Sequence, residues 1–129
     1  MGNRSAAVRT RYRDVEPYVT RDGSTIRELM HPAIHGNRNQ SLAEATVPPG
    51  GRTVRHVHRR SEELYHVTGG SGTMHLGDES FAVGAGDTVL IPPGVPHWIE
   101  AGGETPLRIL CCCSPPYAHE DTELLEATG

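Results

Sequence analysis

Apolar and polar positions alternate in short bursts along this chain, and glycine- and proline-rich turns separate the bursts at intervals of about eight to twelve residues. "TIRELM" (Thr25 to Met30) runs into His31-Pro32, which stops it, and "SLAEATV" (Ser41 to Val47) closes on "PPGG". Then come "TVRHVH", "ELYHVT", "GTMHL", "SFAV", "DTVLI", "HWIEA" and "LRILCCC", joined by "GGSG", "GDE", "GAGD", "PPGVP" and "GGETP". None of these segments repeats apolar residues at helical spacing over two turns, so the pattern predicts strands. Only "EDTELLEA" near the carboxyl end predicts a short helix, its acidic start suiting a helix amino terminus. Roughly nine short strands at this rhythm predict an all-β sandwich or barrel. Residues 1–24 read as an amino-terminal arm ending in the turn "RDGS", 25–117 as the barrel, and 118–129 as an acidic tail.

Composition narrows the function. A chain of 129 residues suits one domain with a single core, and with aromatics at 5% that core is built from Val, Leu, Ile and Ala. A net charge of -4 argues against nucleic acid as the main partner. All twelve basic residues are arginine, which excludes Schiff-base chemistry and a lysine base. No run approaches the roughly 18 apolar residues of a membrane span. Cys111, Cys112 and Cys113 are consecutive, badly placed for an ordinary disulfide, and no apolar signal core marks the first thirty residues. A reducing cytoplasm is the expected compartment.

One stretch holds the candidate chemistry: "HVHRRSEELYHVTGG", His56 to Gly70. His56 and His58 are two apart, so on an extended strand both imidazoles leave the same face, where their nitrogens can share one ion. Glu62 and Glu63 open the next strand, within reach of that ion. An HxH pair alone does not define a site. A second segment, "GDTVLIPPGVPHWIEA" (Gly86 to Ala101), adds a rigid Pro-Pro-Gly turn that can bring His97 back over the pair.

Together the two segments resemble the paired motifs of the cupin family. Gly50, His56 and His58 match G-x5-H-x-H-x3,4-E-x6-G, and Gly86, Pro92, Gly94 and His97 match G-x5-P-x-G-x2-H-x3-N. Spacing fits Glu62 to Gly69 as well as Glu63 to Gly70. The family's aliphatic residue after the glutamate and valine four positions on match Leu64 and Val67, which favours Glu63. Ala101 stands where the family has asparagine, a turn-former and not a ligand.

The resemblance implies an all-β double-stranded β-helix, or jelly-roll barrel, with one divalent metal held by His56, His58, Glu63 and His97. Three nitrogens and one oxygen leave two open positions on a six-coordinate ion, which suits Fe, Mn, Co or Ni and admits Zn or Cu. A small-molecule substrate or ligand and a homodimer are also implied. Tyr65 shares the face of Glu63 and is the candidate catalytic residue beside the metal, or a plain barrel-lining aromatic. His66 and His75 fall on the opposite parity. His31, His35 and His119 lie in turns or tails, and Trp98 should point away from the metal. Met74 and Phe81 are expected in the core, Arg52 and Arg55 at the rim, and Cys111 and Cys113 on one shared face as buried small residues.

Three functions follow from such a site. The first is a metal-dependent oxygenase of dioxygenase type, with the metal as the reactive group. The second is a metal-assisted isomerase, epimerase or lyase, and the third a non-catalytic small-molecule binding protein.

Overall fold

The computed structural model describes residues 7–126. Eleven strands form two antiparallel sheets that face each other as a double-stranded β-helix. The six-stranded sheet has the order β1 (Tyr18–Val19), β2 (Thr25–Met30), β3 (Ser41–Val47), β10 (Leu107–Ser114), β5 (Glu62–Gly69), β8 (Thr88–Ile91). The five-stranded sheet runs β11 (Thr122–Leu124), β4 (His56–His58), β9 (His97–Ala101), β6 (Ser71–Leu76), β7 (Glu79–Gly84). Among the described residues no helix is long and apolar enough to cross a membrane.

Alternation decides which side chains enter the barrel, and the inward set changes character along each strand. On β5 the inward positions read Glu63, Tyr65, Val67, and on β9 they read His97, Ile99, Ala101. On β10 they read Cys113, Cys111, Ile109, Leu107. One end of the barrel is therefore polar. The other is an apolar plug of Val47, Val67, Met74, Val83, Leu107 and Ile109, all buried. Each large aliphatic side chain there contributes on the order of 1.5–3 kcal/mol. Met74 is fully enclosed, and Phe81 packs half-buried against the same cluster.

Two glycines are demanded by backbone approach and turn shape. A Cβ at Gly72 would stand 2.1 Å from the Glu100 carbonyl oxygen, so β6 and β9 could not pair as they do. Gly94, at φ 79°, reverses the chain after Pro92-Pro93, and its N–H donates to the His58 carbonyl at 2.8 Å.

The segment at the carboxyl end differs from its expected form. The tail read as a short helix is a 3-10 turn (His119–Asp121) followed by strand β11, which pairs with β4. Backbone pairing and the buried Asp121 carboxylate, which accepts from the Arg60 and Ser61 N–H groups at 3.0 and 3.1 Å, outweigh the local helical preference. The described part of the arm is also anchored, since β1 pairs with β2 and the Val54 N–H donates to the Asp22 carbonyl at 2.7 Å.

Candidate metal centre

Register brings the histidines together. His56 lies directly opposite His97 across the β4–β9 pair, and His58 is two residues along the same face. All three are buried, and their ligating atoms lie within 4.8 Å of one another. Glu63 enters from the facing sheet, with Oε1 3.2 Å from His58 Nε2 and 3.6 Å from His97 Nε2. Glu62 is exposed on the outer face.

The donor set fits a divalent cation on two counts. First, each imidazole engages its Nδ1 elsewhere: His56 with the Val54 carbonyl at 2.7 Å, His97 with the Val95 carbonyl at 3.0 Å, and His58 with Thr122 Oγ1 at 3.0 Å. A ring that donates from Nδ1 presents its Nε2 lone pair to the centre, the tautomer that metal-binding histidines are held in. Second, His97 Nε2 and Glu63 Oε1 are buried without a hydrogen-bond partner among the described residues. The close approach of Glu63 Oε1 to His58 Nε2 is not aligned as a hydrogen bond. Unpartnered buried polar atoms are costly, so a cluster of them marks a place for a cation.

In the metal-free site a proton shared between Glu63 and the imidazoles stands in for the cation. Burial works to raise the Glu63 carboxyl, but the His58 and His97 imidazoles beside it prevail and hold it well below the ordinary carboxylate range. Burial alone would lower His58, and the Glu63 carboxylate reverses the direction to upward. Burial first, then the neighbouring His97, pushes His56 down to about 4. The remaining oxygen, Glu63 Oε2, accepts from the Cys113 thiol at 3.2 Å. Cys111 and Cys113 both line the cavity, and burial, followed by the Glu63 charge, pushes both thiols well up, so they stay protonated.

The centre lines a cavity that opens to solvent. Val47, Ile99 and Ile109 form apolar wall, and Tyr65 lines it with its ring centroid 6.0 Å from that of His97. Burial and then the Glu63 charge raise the Tyr65 hydroxyl well above its ordinary value. Tyr18, Glu28 and Tyr117 stand towards the mouth, where a second, more open hollow adjoins.

Other candidates point elsewhere. Arg52 does not reach the rim: its guanidinium lies 4.0 Å over the Trp98 ring on the outer face and pairs with Glu126. Arg55 is exposed and gives its backbone N–H to the same carboxylate. Trp98 also stacks on His75, ring centroids 3.6 Å apart, so both belong to the outer surface. His66 bonds Thr88 on the outside, and His31 caps the short helix Pro32–His35.

Sequence reasoning missed two participants. Thr122 orients His58 from β11, a strand that had been expected to be helical. Asp22 lies in the "RDGS" turn, yet its Oδ2 is 3.9 Å from His56 Nε2 and it lines the cavity. Its sequence signal, an Asp-Gly turn, accounts for the turn and carries nothing about the site.

A β-helix barrel with three histidines and a glutamate at its open end defines the class, and the chain belongs to the cupin-domain family, whose profile matches residues 43–113. It is 55% identical over 119 residues to the uncharacterized protein MJ1618 of Methanocaldococcus jannaschii, spanning 92% of this chain and 95% of that one. It is 29% identical over 116 residues to the polyketide synthase CurC of Streptomyces cyaneus, covering 86% of this chain and 75% of the relative. Among solved structures, the polyketide cyclase RemF from Streptomyces resistomycificus superposes with a TM-score of 0.79 at 26% identity, covering 95% of this chain and 88% of that one.

Proposed function

We propose that this protein is a divalent-metal-dependent enzyme acting on a small, oxygen-bearing organic molecule by Lewis-acid proton transfer: isomerisation, elimination or ring closure next to a carbonyl. The observation that carries this reading is the clustering of three histidine ligand atoms within 4.8 Å of one another, beside an unpartnered Glu63 oxygen, in a largely apolar cavity. His56, His58, Glu63 and His97 would hold the ion. When bound, a divalent ion supplies Lewis-acid polarisation of a substrate oxygen. Tyr65, kept protonated, donates a hydrogen bond to oxygen charge that develops beside the centre. Glu28, which lines the same cavity with its Oε1 buried and unpartnered among the described residues, takes the α-proton and returns it to the product. Val47, Ile99 and Ile109 exclude water and strengthen that interaction. Kinship with proteins named for polyketide synthesis and cyclisation supports the choice, because ring closure of a carbonyl chain belongs to the same chemistry.

A second reading, a dioxygenase, is favoured by the four-donor set itself. Three nitrogens and one oxygen leave room on a six-coordinate ion for both substrate and dioxygen.

The test uses zinc- and iron-loaded protein with 1,3-diketones and 2-hydroxy ketones as probes. Under nitrogen in deuterated water, the zinc form is expected to exchange α-hydrogens, followed by NMR. Exchange disappears in His97→Ala and falls about 10²-fold in Tyr65→Phe. Oxygen uptake by the iron form with no exchange by the zinc form makes it a dioxygenase. Probe binding with neither makes it a binding protein.

A homodimer and a cytoplasmic setting belong to the same proposal. Leu42, Cys112, Leu64 and Leu90 align across four strands on the outer face of the six-stranded sheet, with Leu64 and Leu90 41% and 51% exposed. Such a row suits pairing of two copies, and Leu64→Arg is expected to give monomers in sedimentation. The three free thiols suit a reducing compartment.

A further inference from the structure

We infer that Asp22, delivered by the amino-terminal arm, is a fifth protein ligand of the metal centre. This rests on reading His56, His58, Glu63 and His97 as a metal site. The arm presents Asp22 by a built turn. Thr20 N–H donates to the Ser24 carbonyl and Gly23 N–H to the Thr20 carbonyl, both at 3.0 Å. Gly23, at φ 95°, makes the reversal, and Val54 N–H fastens the Asp22 carbonyl beside the lead-in to β4. The carboxylate is then fixed in direction, because Oδ1 accepts from Ser24 N–H at 2.9 Å and from Ser24 Oγ at 2.7 Å.

Oδ2 is left facing His56 Nε2 at 3.9 Å. His56 donates from Nδ1 to Val54, so its Nε2 carries a lone pair. An acceptor facing an acceptor across that gap calls for something positive between them. The same relation holds between Glu63 Oε1 and the Nε2 atoms of His58 and His97. Around an ion with bonds of about 2.1 Å, neighbouring ligand atoms stand about 3.0 Å apart and opposite ones about 4.2 Å. The 3.2 Å contact is close to the first spacing and the 3.9 Å contact to the second. Glu63 thus covers two histidines and Asp22 the third.

Two consequences follow. Two carboxylates balance the charge of a divalent ion, which lowers the cost of holding it in a buried site. Five protein donors leave one open position on a six-coordinate ion, enough for a substrate oxygen but not for substrate and dioxygen side by side. Asp22 therefore turns the choice of chemistry towards Lewis-acid proton transfer.

The test is a Co(II) titration of metal-free full-length protein, read by competition affinity and by the visible absorption of the bound ion. Asp22→Asn keeps the Oδ1 acceptor and so the turn. Asp22→Ala removes the carboxylate outright. Both are expected to bind Co(II) 10- to 100-fold more weakly, with stronger absorption as the coordination number falls. Ser24→Ala, which loosens the clamp but keeps the carboxylate, is expected to retain the wild-type spectrum. Wild-type affinity and spectrum in both Asp22 variants, beside lost binding in His97→Ala, would overturn the role of Asp22 and leave the metal site standing. The same weakening in Ser24→Ala as in both Asp22 variants, with the wild-type spectrum at saturation in all three, would make Asp22 a turn clamp and also overturn it. No Co(II) uptake by the wild type would overturn the metal site itself.

Discussion

At the scale of single residues, the centre is made by what each histidine does with its second nitrogen. Val54, Val95 and Thr122 take the three Nδ1 groups, so every ring is held in one tautomer before any ion arrives. His56 shows what this costs in acid. It is pushed down to about 4, while in the unfolded chain it titrates near 6.5. Between those values the unfolded chain binds a proton that the fold refuses. Chelator-treated protein should therefore lose stability as pH falls from about 6.5 to about 4, and His56 adds no further loss below that. His58, raised by Glu63, completes its contribution below pH 6.5 and loses it only as pH rises, so it lies outside this window. Glu63, held low, adds a second loss once pH drops below the ordinary carboxylate range. Urea midpoints measured stepwise in this range should fall more gently for His56→Gln than for the wild type. Of these residues, His56, His58 and His97 were legible from spacing because alternation and a proline-glycine turn dictate where they point. The choice of Glu63 over Glu62 needed the family pattern. Asp22 was illegible, because its contact with His56 spans residues that no local rule connects.

At the scale of elements, the strands with strict alternation were read correctly, and β2 and β3 match their expected limits residue for residue. β11 was not, because "EDTELLEA" has helical composition and its pairing with β4 is a tertiary fact. That strand matters to the centre. Thr122 stands opposite His58 in the ladder, donates its hydroxyl to the Ala118 carbonyl at 2.9 Å, and so offers its oxygen to His58 Nδ1. Thr122→Val preserves shape and strand preference but leaves a buried Nδ1–H without its acceptor, a loss of about 1–3 kcal/mol. Co(II) affinity of Thr122→Val should fall at least about tenfold, because the ring is free to turn. Thr122→Ser, which keeps the hydroxyl, should restore most of it. Equal affinity in the valine and serine variants would show that β11 supports the sheet without orienting the ligand.

For the molecule as a whole, strand rhythm was visible in the sequence but strand order was not. Ala45 pairs with Ile109, and Tyr65 lies between Val89 and Cys111, in partnerships that depend on how the whole chain closes. The closed barrel has unequal ends. Its apolar plug holds the sheets together by burial, whereas its mouth sets polar groups against each other. An ion held by Glu63 from one sheet and by His56, His58 and His97 from the other would tie the two sheets at the polar end. Binding at about 100 times the dissociation constant stabilises by about 2.7 kcal/mol. With Co(II), the thermal midpoint should rise accordingly, and His97→Ala should show no rise. Hydrogen exchange should slow most at the amides of β4, β9 and the first half of β5, and at Gly94, whose N–H is bonded to the His58 carbonyl. The β6–β7 hairpin, joined through Met74 and Val83 to the apolar plug, should change little under native conditions. Slowing confined to β6 and β7, with none at β4 or β9, would place the ion away from the three histidines and undo this account of how the barrel is held closed.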